Sequence, residues 1–463
     1  MVKPLLLALA RPVIDGAART ATTYDPVLLA AKSEPDAYST GLSSRQLLLF
    51  GLTYIAYVSI YFARKPVSVV KSTLEAELGL SRASLGIVDT ALLSAYAVGQ
   101  FMIGTIVSTF GRNVPLVTAY TLCGLATAGF GFSSSVPVMS TLWAICGFFA
   151  SSVHPLLILY ITDLFPASLR ASAIGLWQTS QQVGGIAANT AASAVLASKG
   201  WRAVFKVSGA TVAAFAPVLA AVMFYGSAGA SKPPKAKPSV PAPIATKTAD
   251  STLSLPGLKS VGAAYTLVKM SRYCLMFWLP YFLSKHVGMD AATAAVMAAV
   301  FDVAGVIGSI SSGFLCDAVF GGQMILSTLP FIITAAVAFL AWGGVCIAEQ
   351  VGGKSLRSLH VAAMAVVGFA IASPDGVLGG AASRNLCDYA GRSSEAALAA
   401  TASGIINGCG SVGAILQGGL TAQLVDVAGW SGLYFTLAVC MVGTAAVLIP
   451  AIHVESRAFN KSS

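Results

Sequence analysis

Charge is what this sequence has least of: 10% of its 463 residues are Asp, Glu, Lys or Arg, against about 25% in an ordinary soluble domain. So few charges cannot cover a water-facing surface. That excludes a soluble enzyme, a disordered chain and a nucleic-acid binder of the usual basic kind. Metal-ligand spacing is missing as well, because none of the four histidines stands at ligand distance from another in sequence. The eight cysteines (Cys123, Cys146, Cys274, Cys316, Cys346, Cys387, Cys409 and Cys440) contain no C-x-x-C and sit mostly in apolar runs. They read as small core residues and not as a disulfide or metal framework. With no nucleophile–base constellation either, neither an enzyme nor a cofactor is expected. The apolar run at residues 4–10 is too short for a secretory core segment. Arg11 and Arg19 against the lone acid Asp15 leave a transit peptide as a minor reading.

What is there is apolar. Hydrophobic residues make up 56% of the chain and the mean hydropathy is +0.78, the composition of a polytopic membrane protein. A membrane helix needs about 20 mostly apolar residues. That length predicts twelve spans near 47–70, 85–108, 113–133, 137–162, 169–197, 203–226, 258–284, 291–316, 325–347, 360–382, 395–424 and 431–452. An all-α protein with twelve transmembrane helices in two pseudo-symmetric six-helix halves follows. Its parts are a tail at 1–46, halves at 47–227 and 258–452, a linker at 228–257 and a tail at 453–463. The linker, with Lys232, Pro233, Pro234, Lys235, Lys237 and Pro238, can form neither a span nor a core.

The formal charge of +10 has a distribution. With both termini cytoplasmic, sixteen Lys and Arg fall in the tails, the linker and the loops on that side. Eight fall on the opposite side: Lys71, Arg82, Lys199, Arg202, Lys206, Lys285, Lys354 and Arg357. The positive-inside rule therefore favours cytoplasmic termini. The remaining four, Arg64, Lys65, Lys269 and Arg272, lie inside spans. There each costs roughly 2.5–3.5 kcal/mol unless it lines a cavity or finds a partner. Acids within spans are few: Asp89, Asp302 and Asp375. Arg64 and Arg272 are 208 residues apart, nearly the 209-residue offset that relates Gly99 to Gly308 and Gly104–Arg112 to Gly313–Gly321. The two arginines thus hold equivalent places on the first helix of each half, facing a central cavity. Two guanidinium forks on one site suit a phosphate group.

Neighbouring residues follow helical spacing. Tyr54, Tyr57, Tyr61 and Arg64 share one face, and Tyr265, Lys269 and Arg272 share another. Tyrosine hydroxyls beside a cation suit sugar or phosphate oxygens, although such a stripe also serves plain helix packing. Snorkelling to the interface is the competing reading for Arg64 and Lys65. His154 beside Pro155 reads as a packing residue. Gly184–Gly185 and the run Gly404, Gly408, Gly410 and Gly413 permit close helix approach, for sliding or for static packing.

The paired copies of the glycine loop, the second keeping Asp317 where the first has Ser108, resemble the loop signature of the major facilitator superfamily. Arg64–Ser72, Leu85–Asp89, Ser94–Phe101, Phe277–Pro280 and Phe301–Gly308 resemble eukaryotic sugar-phosphate exchangers of the organophosphate:phosphate antiporter family. The resemblance runs from about residue 45 to 452. It implies exchange of glucose-6-phosphate, glycerol-3-phosphate or a similar organophosphate for inorganic phosphate by alternating access, with no metal. It implies a monomer in an endomembrane such as the endoplasmic reticulum, with the lipid bilayer and small phosphorylated molecules as partners and no nucleic acid. Carried onto this chain, the phosphate-binding arginines are Arg64 and Arg272, with Lys65, Lys269, Tyr57, Tyr61 and Tyr265 beside them. Gln100 and Gln181 stand where bacterial relatives have a lysine and a histidine. Asp302, Asp89 and Asp317 are the charge partners, Asp302 holding or releasing an arginine. Which of Lys269 and Arg272 is the second phosphate ligand stays open. Two further readings stay open too: a proton-coupled sugar or drug carrier using Asp89 or Asp302, and a sensor that binds a sugar phosphate without moving it.

Overall fold

Pro66 ends one helix and begins the next. Lacking an N–H, it cannot donate to the carbonyl four residues back, so the first long segment breaks into α1 (Ser44–Arg64) and α2 (Pro66–Leu78) with Lys65 at the joint. Gly79 at φ 64° closes α2 in the left-handed conformation that favours glycine. The computed structural model describes residues 43–165, 173–174, 176–227, 252–353, 355–392 and 396–462. The linker up to residue 251 and the N-terminal tail up to residue 42 lie outside the described residues.

Everything regular among the described residues is helical. After α2 come α3 (Arg82–Phe110), α4 (Asn113–Phe130), α5 (Val136–Leu164) and α6 (Ser180–Ser227). Beyond the linker come α7 (Leu258–Lys285), α8 (Ala291–Ala318), α9 (Leu329–Gly352), α10 (Arg357–Gly376), α11 (Ala382–Tyr389) and α12 (Ala396–Ser462). Side-chain caps start two of them: Ser81 accepts from the Ser84 N–H at 3.1 Å and Asp290 from the Thr293 N–H at 2.9 Å. A π-helical turn at Val377–Ala381 joins α10 to α11.

Two expected loops are single residues. α6 runs through the expected boundary between two spans and turns at Gly200 (φ 75°), and α12 does the same at Gly429 (φ 66°). Such backbone is nearly free only for glycine. Among the described residues, eight helical stretches are long and apolar enough to cross a membrane, and two of them hold 46 and 60 residues, enough for more than one crossing each. Large apolar side chains such as Phe101, Ile310, Phe314 and Val439 face outward, as a lipid-facing surface requires.

The chain forms two compact units, Met1–Tyr54 with Ile158–Gln178 and Ile55–Leu157 with Thr179–Ser463. In the first, Gln46 Nε2 donates to the Leu164 carbonyl at 2.9 Å and Phe50 meets Phe165 edge-on. In the second, helices from either side of the linker pack together as α2 on α7, α3 on α12 and α6 on α8. The expected tail after residue 452 is instead the end of α12. There the fully buried Glu455 accepts from the N–H groups of Ile325 and Leu326 (3.0 and 2.8 Å) and from the Tyr389 hydroxyl at 2.8 Å.

Candidate anion-binding site

Each acid found inside the spans takes one cation. Asp302 on α8 meets Lys65 at 3.4 Å, Asp375 on α10 pairs with Arg272, and Asp89 on α3 pairs with Lys71. Two of these pairings differ from the sequence-based expectation. The carboxylate on the arginine is that of Asp375, not Asp302. Lys71, expected in an exposed loop, is fully buried because α2 continues past it to Leu78. Its ion pair with Asp89, also fully buried, occupies an acid that the sequence offered as a cavity charge. Asp317 is exposed at the end of α8 and makes no ion pair among the described residues.

Five cations against three acids leave two over. Arg64 and Lys269 are each only 8% exposed and neither makes an ion pair among the described residues. Tyrosines surround both instead. The Arg64 guanidinium carbon is 5.4 Å from the Tyr61 ring centre and 5.2 Å from that of Tyr96. Lys269 Nζ lies 5.3 Å from Tyr265 and 5.7 Å from Tyr273. Ring faces attract cations, but they neutralise no charge, and Arg64 Nε is buried without a hydrogen-bond acceptor.

Tyr61 donates to Gln181 Oε1 at 3.2 Å, tying α1 to α6, and packs edge-on against Tyr57. Tyr57 in turn contacts His154. Gln100 receives a long hydrogen bond, 3.4 Å, from Ser411. The predicted site residues Tyr57, Tyr61, Arg64, Lys65, Gln181, Lys269, Arg272 and Asp302 all lie in one compact unit. Tyr273 stands within electrostatic reach of Arg64, Lys269, Arg272 and Asp375 together. Sequence reasoning missed Tyr273 and Tyr96. Tyr273 carried a usable signal, since it extends Tyr265 and Lys269 by four residues along one helix face.

Glycines fix the clearances. A Cβ at Gly184 would come 2.7 Å from the Tyr61 ring. One at Gly410 would come 2.6 Å from the Tyr265 ring and 2.8 Å from Lys269 Cδ. By contrast, a Cβ at Gly404 would meet nothing, so the glycine run is not uniformly a sliding surface.

A second cluster sits at the ends of α7, α9 and α10, where donor atoms of His286, Glu349 and His360 lie within 4.8 Å of one another. The Trp342 indole N–H, which can only donate, gives its proton to His360 Nδ1 at 3.1 Å. Neutral His360 therefore carries its own proton on Nε2 and shares it with Glu349 at 2.7 Å. His360 therefore has no lone pair to offer a metal ion in this arrangement, and with His286 Nε2 3.8 Å from Glu349 the three residues form a clasp between helix ends. His286, at the end of α7, has its pKa lowered below the ordinary 6.5, first by burial and then by His360, with Glu349 opposing.

The sequence matches the family described as the Major Facilitator Superfamily over residues 53–416. The chain belongs to that superfamily. Among curated relatives in it, a putative glycerol-3-phosphate transporter 5 of Arabidopsis thaliana is 26% identical across 87% of this chain and 90% of its own length. Sugar phosphate exchanger 3 of Mus musculus is 24% identical across 90% and 94%. The membrane sensor protein UhpC of Salmonella typhimurium is 24% identical across 87% and 90%. A crystal structure of a bacterial homologue of the lysosomal transporter Spinster, inward-facing and unoccupied, superposes with a TM-score of 0.62 at 18% identity, covering 91% of this chain and 99% of that one. At that identity the likeness establishes the superfamily's fold and nothing finer.

Proposed function

We infer that the protein exchanges an organophosphate, a sugar phosphate or glycerol phosphate, for inorganic phosphate by alternating access. One observation carries this: the site holds two positive charges, Arg64 and Lys269, with no carboxylate partner among the described residues. A phosphate monoester bears about −1.5 to −2 at pH 7. Bound phosphate neutralises the pair, whereas the empty site keeps two like charges in a low-dielectric interior. Reorientation with ligand is then favoured and reorientation without it is resisted, which makes exchange obligatory. Arg64 supplies the forked contact and Lys269 the second cation. Arg272, held by Asp375, orients the site from α7. Tyr57, Tyr61, Tyr265, Gln100 and Gln181 line the path to it, and the Lys65–Asp302 pair joins helices across the linker. Relatives named as a glycerol-3-phosphate transporter and a sugar phosphate exchanger support the substrate class.

The rest of the arrangement follows from the same reading. Eight apolar stretches, two of them of double length, together with α4 and α7 give twelve crossings, six on either side of the linker, within halves 47–227 and 258–452. Both termini are cytoplasmic, on the distribution of cations, and the membrane is an endomembrane. The working unit in this reading is a monomer.

A sensor relative favours one alternative, binding without flux. Counterflow separates the two. Liposomes preloaded with phosphate are challenged with glucose-6-phosphate, glycerol-3-phosphate and phosphoenolpyruvate, and one of them drives phosphate out. Saturable binding with no flux would establish the sensor instead. Uptake that tracks a pH gradient and ignores internal phosphate would establish a proton-coupled carrier; the ion-paired states of Asp89 and Asp302 argue against it.

A further inference from the structure

Pro280 interrupts α7 one turn before its end. Without an N–H it leaves the carbonyl of Met276, four residues earlier, with no helical donor. That carbonyl does not go unsatisfied. Ser68 Oγ on α2, only 1% exposed, donates to it at 3.0 Å. One turn along α2, Lys71 Nζ donates to the next carbonyl, that of Phe277, also at 3.0 Å. Asp89 holds this ammonium from one side, and the Trp278 ring lies 3.9 Å away on another. One further turn along, Glu75 bonds Lys285 at 2.7 Å and the Tyr281 hydroxyl at 2.9 Å. Ser68, Lys71 and Glu75 recur at i, i+3 and i+7, one face of α2, and meet successive turns of α7.

These contacts join a helix before the linker to a helix after it. The outer rung is a partly exposed ion pair, which water replaces at modest cost. The inner rung is different. An α7 carbonyl without a helical donor has two partners available, the Ser68 hydroxyl when the helices touch and water when they part. We propose that Pro280 and Ser68 form a gate contact: the proline creates a vacant acceptor on α7, and α2 occupies it reversibly to seal this end of the substrate path. Opening then requires water to reach Met276, so hydration and gate opening are one event. The gate rests on the alternating-access reading above, and on the orientation given there it faces away from the cytoplasm.

The test is a mutant cycle read by hydrogen–deuterium exchange of the Val69–Leu78 amides in the full-length protein in lipid nanodiscs, where exchange reports the open population. Ser68→Ala removes a net hydrogen bond and should raise exchange about fivefold. Pro280→Ala returns an N–H to α7 and gives Met276 its own helical donor. In that background Ser68→Ala should change exchange less than about twofold. Ser68→Cys, close in size but a weak donor, is the second variant and should follow the same pattern. An equal effect of Ser68→Ala in both backgrounds would show that Ser68 acts by packing alone, and the proposal falls. No effect in the native background overturns it as well. Phosphate counterflow on wild-type protein is scored separately, so a protein with an intact gate cycle and no flux refutes only the transport reading.

Discussion

Neutralising cations one by one should give unequal results, and the inequality tests the charge arithmetic of the site. Arg272 faces Asp375, and their side chains are 23% and 17% exposed. Removing one partner of a buried pair leaves the other charge stranded at about 3–5 kcal/mol. With roughly a fifth of each side chain still wet, the lower end applies, about 3 kcal/mol or 150-fold. Arg272→Gln alone should therefore cut phosphate exchange severely. Arg272→Gln with Asp375→Asn strands nothing and should recover to within about fivefold of wild type, because the net charge of the site is unchanged. On the proposed function, Arg64→Gln removes a charge that phosphate itself compensates. Each charge-assisted hydrogen bond lost is worth about 1.5–3 kcal/mol, a 10- to 150-fold loss, and no second substitution exists to rescue it. The assay is phosphate self-exchange in proteoliposomes, with KM and maximal rate separated and folding checked by thermal melting. If the Arg272/Asp375 double variant is as inactive as Arg272→Gln while Arg64→Gln exchanges normally, the assignment of the free cations is wrong.

Other outcomes follow from single residues. Gly410→Ala forces a methyl against Tyr265 and Lys269 Cδ; such overpacking costs about 1–3 kcal/mol and should raise the KM for phosphate about tenfold, while Gly404→Ala leaves it unchanged. Glu455→Gln weakens the acceptor for the buried Ile325 N–H, the half-buried Leu326 N–H and the Tyr389 hydroxyl, costing about 1–3 kcal/mol of stability and lowering the melting temperature with exchange kinetics unaltered. His286, with its folded pKa below 6.5, resists the proton that the unfolded chain accepts. Stability is therefore full above about pH 6.5 and declines as pH falls from there towards the lowered folded value, and His286→Asn should flatten that part of the melting profile.

Much of this was legible in the sequence, for physical reasons that also mark where legibility ends. A span must satisfy its backbone internally and be apolar for about 20 residues, so helix after helix can be read by length alone. The arginines at the repeat offset were visible because a charge in a span is costly and therefore conspicuous. Lys71 was not. It lies one residue past an apolar boundary, and only the restart of the helix at Pro66 carries it inside. Pairings were hidden as well: whether Asp302 or Asp375 meets Arg272 depends on how α7, α8 and α10 are rotated against one another, which no local pattern encodes. Gly200 and Gly429 show the same limit, since a one-residue turn and a short loop look alike to hydropathy. The clasp at His286, Glu349 and His360 draws on three helices, so no spacing rule could have assembled it.

The joint at Lys65 has a consequence for how this protein tolerates change. Arg64 faces the tyrosines that ring the free charge, while Lys65, the next residue, reaches across to Asp302 on a helix beyond the linker. On the proposed function, two adjacent letters have two separate jobs, Arg64 sensing cargo and Lys65 fastening one helix to another. Transposing them would leave charge, composition and hydropathy untouched, yet it would place a compact ammonium where a fork is needed and a bulky fork where a tether is needed. If the two residues have those roles, the order of the pair, and not its content, is what selection must preserve.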